Sequence, residues 1–355
     1  MFLPVKQAEC SKVLNRIMDM VQTILDYSVQ TLVQELDVQE LTELVDNDLR
    51  LLLKKKNIQS DIEELFRMTY MERMEADWAF SSDREFMNHM NDGAYCLHSR
   101  PAAKKQQKKP MEVLNRLCND LYDSIRNGLP GNKEAFSALI LQTDYEIVNG
   151  DDGMVCPVCM KENLFSMGEG EVDHYFPRKK YPVLAIHPFN LLPICSDCNG
   201  SRRKHTKNPV DQADIGPGEL LTVFLPYLRA GKDEIEFHVS EDARRYIVME
   251  PRDKREGYGK RRIDNLERLF MLGSRWSKVF SYVYEDIKAE LNQAKREGNT
   301  RGENLTLLRK TMKANWGSTK NRKDFIKGIY CGWLLEKSDE ELEEMFLEVG
   351  LEEQW

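Results

Sequence analysis

The chain has 355 residues, of which 41% are hydrophobic and 31% charged, and its formal net charge is −8. That balance excludes a disordered polyelectrolyte and supplies enough apolar residues for packed cores in about two or three domains of ordinary size. An acidic total also argues against a general polyanion binder, although local charge matters more than the sum.

The first elements read as helices. In residues 5–36, Val13, Ile17, Met20, Val21, Ile24 and Leu25 recur at three- and four-residue spacing, the period of a one-sided helix. Further helical stretches are expected at 38–54 and 60–77. The segment SRPAAKKQQKKP, 99–110, has no apolar stripe and reads as an exposed basic linker. Helices at 111–127 and 132–142 complete an all-helical N-terminal domain, 1–145.

Residues 146–210 change character: helical periodicity is lost, and Gly, Pro, Cys and His cluster. Segments 235–239 (IEFHV) and 245–249 (RYIVM) read as short strands. Helices return at 261–272, 274–296, 303–315, 322–336 and 338–349, the last opened by Ser338 with Glu341 three residues on. The fold class expected is mainly α with a small α+β core, the C-terminal region running from 211 to 355. No run of about 18 apolar residues offers a membrane span. The start MFLPVKQAEC lacks the basic and then apolar pattern of a secretory leader, so a cytoplasmic location is expected.

Eight cysteines are present. Cys156 and Cys159 form one C-x-x-C pair, and Cys195 and Cys198 form another after 35 intervening residues. Two such knuckles make a four-thiolate zinc site with no open position, hence a structural one. Its binding energy would fasten a segment too poor in apolar residues to fold well alone.

Between the knuckles stand Asp173-His174 and Asn190-Leu191, and Asn199 follows Cys198. An Asp-His pair, then Asn-Leu, then C-x-x-C-Asn resembles the HNH, or ββα-metal, nucleases whose catalytic residues lie within zinc knuckles. The third letter is here Asn in place of His, and the motif covers about 50 of the 355 residues. The resemblance implies a central ββα-metal module with a structural zinc, flanked by helical regions, and a metal-dependent endonuclease with DNA favoured. His174 would be the general base, since free imidazole titrates near about 6.5 and is largely neutral at pH 7. Asp173 and Asn199 would hold one Mg2+ or Mn2+ through oxygen. By the same resemblance Asn190 pins the loop that orients the base.

From Arg178 to Lys207, seven Lys or Arg face one acid, Asp197, a local net of +6. SRRKHTK, 201–207, is expected to continue the helix that begins near Cys198, with Arg202, Arg203 and Lys204 on phosphates. His187 is a rival base at the HPFN step, and His205 a phosphate or solvent neighbour. His89, His98 and His238 have no supporting motif. FLPYL, 224–228, the strand pair and RIDNLERLFMLGSRW, 262–276, resemble the tail of bacterial antiviral-defence HNH effectors, some of which act beside an ATPase. A protein partner of that kind or a homo-oligomer is therefore expected. The acidic C-terminus, nine acids against one Lys between 336 and 354, suits a soluble helix or a partner-docking surface and not a DNA contact. Two other classes stay open: a non-catalytic zinc-ribbon module, which needs only the cysteines, and a scaffold subunit of a larger complex.

Overall fold

The computed structural model describes residues 3–5, 11–30, 36–100, 109–126, 128, 155–161, 170–225, 227–240, 246–315 and 322–346. Helix α1, Ser11–Gln30, buries Leu14, Ile17, Met18, Val21, Ile24 and Leu25 in one stripe. The stretch read as one helix over 38–54 is two, α2 (Val38–Leu44) and α3 (Arg50–Leu53). The cause is local. Asp37 caps α2 through Gln39 N and Glu40 N, and Arg16 of α1 forks to Asp46 and Asp48 in the connecting turn. The helix expected at 60–77 also divides, into α4 (Lys56–Phe66) and α5 (Tyr70–Arg84). Thr69 and Glu72 form a reciprocal capping box there, which satisfies two N-terminal amides and starts a new helix. Helix α6, Lys109–Ile125, lays Val113, Leu114, Leu117, Cys118 and Leu121 across α4 and α5. The helix expected at 132–142 and most of the basic linker, 101–108, lie outside the described residues.

Asp83, near the end of α5, is fully buried. Its carboxylate accepts from His98 N at 2.7 Å, Ser99 N at 2.8 Å, Ser99 Oγ at 2.5 Å and Tyr95 Oη at 3.2 Å. Burial pushes the group up, and the donors from Ser99 and His98 pull it back. Asp83 thus fastens the 95–99 segment to α5. Asp83→Ala removes the acceptor of both buried Ser99 donors and of His98 N and is expected to cost about 3 kcal/mol, read as a lower denaturant midpoint. A midpoint unchanged from the unaltered chain would show that the segment is held otherwise.

Strand β1, Gly170–His174, pairs antiparallel with β2, Leu191–Cys195, placing Asp173 opposite Leu192 and His174 opposite Leu191. One helical turn, Ser196–Asn199, follows β2 and packs on both strands. It stops at Gly200, whose ψ of 156° is extended. Residues 201–207 are turns, so the expected helical continuation is absent. A second hairpin joins β3 (Ile235–Val239) to β4 (Ile247–Pro251). The helix read at 261–272 is Gly259–Phe270, and the long one read at 274–296 is two, Leu272–Ser277 and Phe280–Arg296. Arg301–Asn315, Arg322–Leu335 and Asp339–Phe346 follow. Trp276 and Phe325 meet at 5.3 Å, each also against Phe237, and tie these helices to β3. Among the described residues, no helix is long and apolar enough to cross a membrane.

Two apolar cores share the hairpin β1–β2. One joins α1–α6 to Val183, Ala185, Ile186 and Leu191. The other gathers the four cysteines, the 259–346 helices, and Leu3, Val5, Phe86 and Leu97 from the N-terminal third. Val172 packs against both, so the hairpin is gripped from either side.

Candidate functional site

The two C-x-x-C pairs converge. All four Sγ atoms lie within 4.8 Å of one another and all four residues are buried. Cys159 and Cys195 are 3.6 Å apart and Cys156 and Cys198 4.0 Å apart. Sulfurs about 2.3 Å from one tetrahedral ion would sit about 3.8 Å from each other, so the cluster fits zinc. The first knuckle closes by Met160 N to Cys156 O at 2.8 Å, with Met160 in the left-handed region at φ 58°. The second joins the end of β2 to the helical turn. Two donors support the sulfurs: Cys195 N to Cys156 Sγ at 3.4 Å, and Arg275 Nη1, from the Leu272–Ser277 helix, to Cys198 Sγ at 3.3 Å. Burial pushes the Cys156 and Cys198 thiols up, whereas hydrogen bonds from its neighbours draw Cys159 down.

His174 ends β1. Its Nε2 lies 3.0 Å from Ala185 O, and its ring meets the Tyr122 ring edge-on with centroids 4.5 Å apart. With Nε2 donating to that carbonyl, Nδ1 keeps the lone pair, and among the described residues it has no hydrogen-bond partner. Burial, together with the Arg178 and Lys204 cations, lowers the imidazole to about 4 against the pull of Ala185 O, so it is neutral at pH 7.

Asn190 fixes the loop between them. It is fully buried. Its Oδ1 accepts from Phe176 N at 2.6 Å, and its Nδ2 donates to Phe176 O at 2.9 Å and Leu184 O at 2.8 Å. Leu184 precedes Ala185, so one side chain holds both the residues after His174 and the carbonyl that orients its ring.

Asp173 is buried on the other face of β1. Its Oδ2 lies 3.3 Å from Lys204 Nζ, an ion pair, but has no partner of hydrogen-bond geometry. Burial raises its carboxyl to about 6, Lys204 opposes, and nearby Glu171 adds to the rise. Asn199 Nδ2 donates to Glu171 Oε2 at 2.7 Å. Glu171 is thus a site neighbour that the motif reading passed over. The period of two along a strand could have found it, because residues two apart share a face.

The basic segment departs from expectation. Lys204 does not face phosphates: it is fully buried, bound to Asp173 and donating to His174 O at 3.1 Å. Its ammonium crosses the site because 201–207 turns back where a helix would have carried it outward. Arg203 donates to Asp197 O, while Arg202 stays exposed, as do Lys179 and Lys180. His187 is buried with both ring nitrogens engaged, Nε2 with Arg84 O at 3.0 Å and Nδ1 accepting from Phe189 N at 3.3 Å. That commitment removes it as a rival base. His205 is exposed, with φ 36°.

No family model matches the chain, and no solved structure matches it. A curated protein, Septu protein PtuB of Bacillus thuringiensis, is 34% identical over 65 residues, which are 18% of this chain and 25% of that protein. The similarity therefore spans about a quarter of the relative's length.

Proposed function

We propose that the chain is a metal-dependent HNH-type endonuclease that hydrolyses phosphodiester bonds, DNA being the favoured substrate. The observation that carries this reading is the setting of His174: neutral, its Nε2 held by Ala185 O in a loop pinned by Asn190, its Nδ1 left to take a proton. A base needs a fixed tautomer and a protonation state available at working pH.

Asp173 and Asn199 are the oxygen donors proposed for one Mg2+ or Mn2+; Asp173 Oδ2, ion-paired with Lys204 without hydrogen-bond geometry, would share its charge with that ion. That cation supplies charge neutralisation at the scissile phosphate and the leaving oxygen. Glu171, which receives the Asn199 amide N–H, turns the amide so that its oxygen is not spent on Glu171. His174 Nδ1 would accept the proton of the attacking water as its oxygen bonds to phosphorus and the bond from phosphorus to the leaving sugar oxygen breaks, that oxygen taking its proton from solvent. Arg202, with Lys179 and Lys180, supplies exposed positive charge for phosphates. The zinc fitted by Cys156, Cys159, Cys195 and Cys198 has no open position and does no chemistry. The similarity to PtuB, with the resemblance to defence effectors, supports a role in prokaryotic antiviral defence beside a protein partner, an ATPase or a second copy.

The ion pair of Lys204 with Asp173 favours a second reading, a non-catalytic zinc module that binds nucleic acid or scaffolds a complex. There the ammonium alone balances the carboxylate. Incubating the purified protein with plasmid, linear DNA and RNA separates the two. Cleavage with Mg2+ or Mn2+ and none in EDTA is the expected result. Binding without cleavage, under every metal and with the native partner present, would establish the second reading.

A further inference from the structure

Arg178 lies four residues beyond His174 in sequence, and the two side chains meet the same aromatic ring. Its guanidinium carbon is 4.9 Å from the centroid of the Tyr122 ring, the same ring whose edge covers His174. Its Nη1 donates to Asp123 Oδ1 at 2.9 Å. Tyr122 and Asp123 are neighbours on α6, so a helix from outside the HNH segment both covers His174 and holds Arg178. The two charged side chains are 29% and 51% exposed. An ion pair as open as this contributes little to folding, and a competing anion can open it at small cost. A guanidinium forks onto phosphate oxygens at least as well as onto a carboxylate. Tyr122 offers it a flat face on which to turn.

We infer that Arg178 is a phosphate-binding residue for the strand presented to His174, and that Asp123 holds it in reserve until a nucleic-acid phosphate displaces the carboxylate. This inference rests on the nuclease reading. Asp123 then acts twice against the substrate, by occupying Arg178 and by placing a negative charge beside incoming phosphates. The helical region thereby sets how readily the site accepts a strand.

The test uses the full chain, a short fluorescent DNA duplex and its single strand, anisotropy in EDTA across a salt series, and cleavage with Mg2+. Asp123→Asn is expected to tighten binding about two- to fivefold and to raise cleavage at limiting substrate. Arg178→Ala is expected to weaken binding about fivefold or more and to lower the salt slope by about one. Arg178→Lys falls between, because charge remains and the fork is lost. In the double variant the gain from Asp123→Asn disappears, since there is no Arg178 to release. If Asp123→Asn helps equally with and without Arg178, general repulsion is its only effect and the latch is overturned. If the unaltered protein cuts DNA while Arg178→Ala keeps full affinity and slope, the latch falls and the nuclease stands. If no form binds or cuts any nucleic acid, both fall together.

Discussion

His174→Ala is expected to abolish phosphodiester cleavage while leaving nucleic-acid affinity within about twofold of the unaltered protein. The side chain is held between the Tyr122 ring and Ala185 O, and its uncommitted ring nitrogen is the proton acceptor of the proposed mechanism. In nucleic-acid binders, ground-state affinity comes mainly from phosphate contacts. General-base loss costs about 10²- to 10⁴-fold, enough to take slow cutting below detection. Asp173→Ala and Asn199→Ala are expected to be as inactive but partly restored by raised Mg2+ or by Mn2+, since they weaken the ion site; His174→Ala is not restored, since proton transfer is what it lacks. Asn190→Ala also loses activity, but with a lower melting temperature, because three buried hydrogen bonds go with it. Matched cutting rates for His174→Ala and the unaltered chain would place the base in another residue, or the activity in another molecule.

Purified protein is expected to carry about one zinc per chain and to resist mild EDTA, and Cys159→Ser is expected to lower the melting temperature sharply or to leave the protein insoluble. Structural zinc binds zinc-finger peptides with an apparent free energy of about 10–16 kcal/mol, and in such small modules that energy is folding energy. Here the loss would not stop at the knuckles. The four cysteines belong to the core that also holds Trp276, Phe325 and Tyr330, and Arg275 reaches Cys198 from the same set of helices. Unfolding of the cluster should therefore loosen the C-terminal helices as well, seen as faster amide exchange in 259–335. A metal-free preparation of undiminished stability would refute the assignment.

Much of the helical layout was legible because helical periodicity is a local property. The stripes in α1 and α6, the strand at 235–239, and the Ser338 start all depend on residues within a few positions of one another. Two boundaries were missed although their signal was present: Thr69 with Glu72 marks a helix start, and Asp46-Asn47-Asp48 is turn chemistry. Apolar spacing that stays in phase across a short break hides the break. The proposed domain limits are harder to read, because Leu3, Val5, Phe86, Met90, Tyr95 and Leu97 belong to the cysteine core.

By itself the sequence determined the cysteine pairs and the order Asp173-His174, Asn190, Asn199, and the folded chain brings the four thiols together. Such pairs are short-range: two residues between ligands make one knuckle wherever the chain lies. Only the tertiary structure decided which charges are spent. Lys204 looked like a phosphate ligand and is buried on Asp173; His187, a rival to His174 in the sequence, has both nitrogens bound; Arg178 meets Asp123 on a helix 55 residues away in sequence. A side chain's type states which bonds it can make. Whether water, a phosphate or another residue makes them depends on which distant surfaces fold against it, and no local period encodes that.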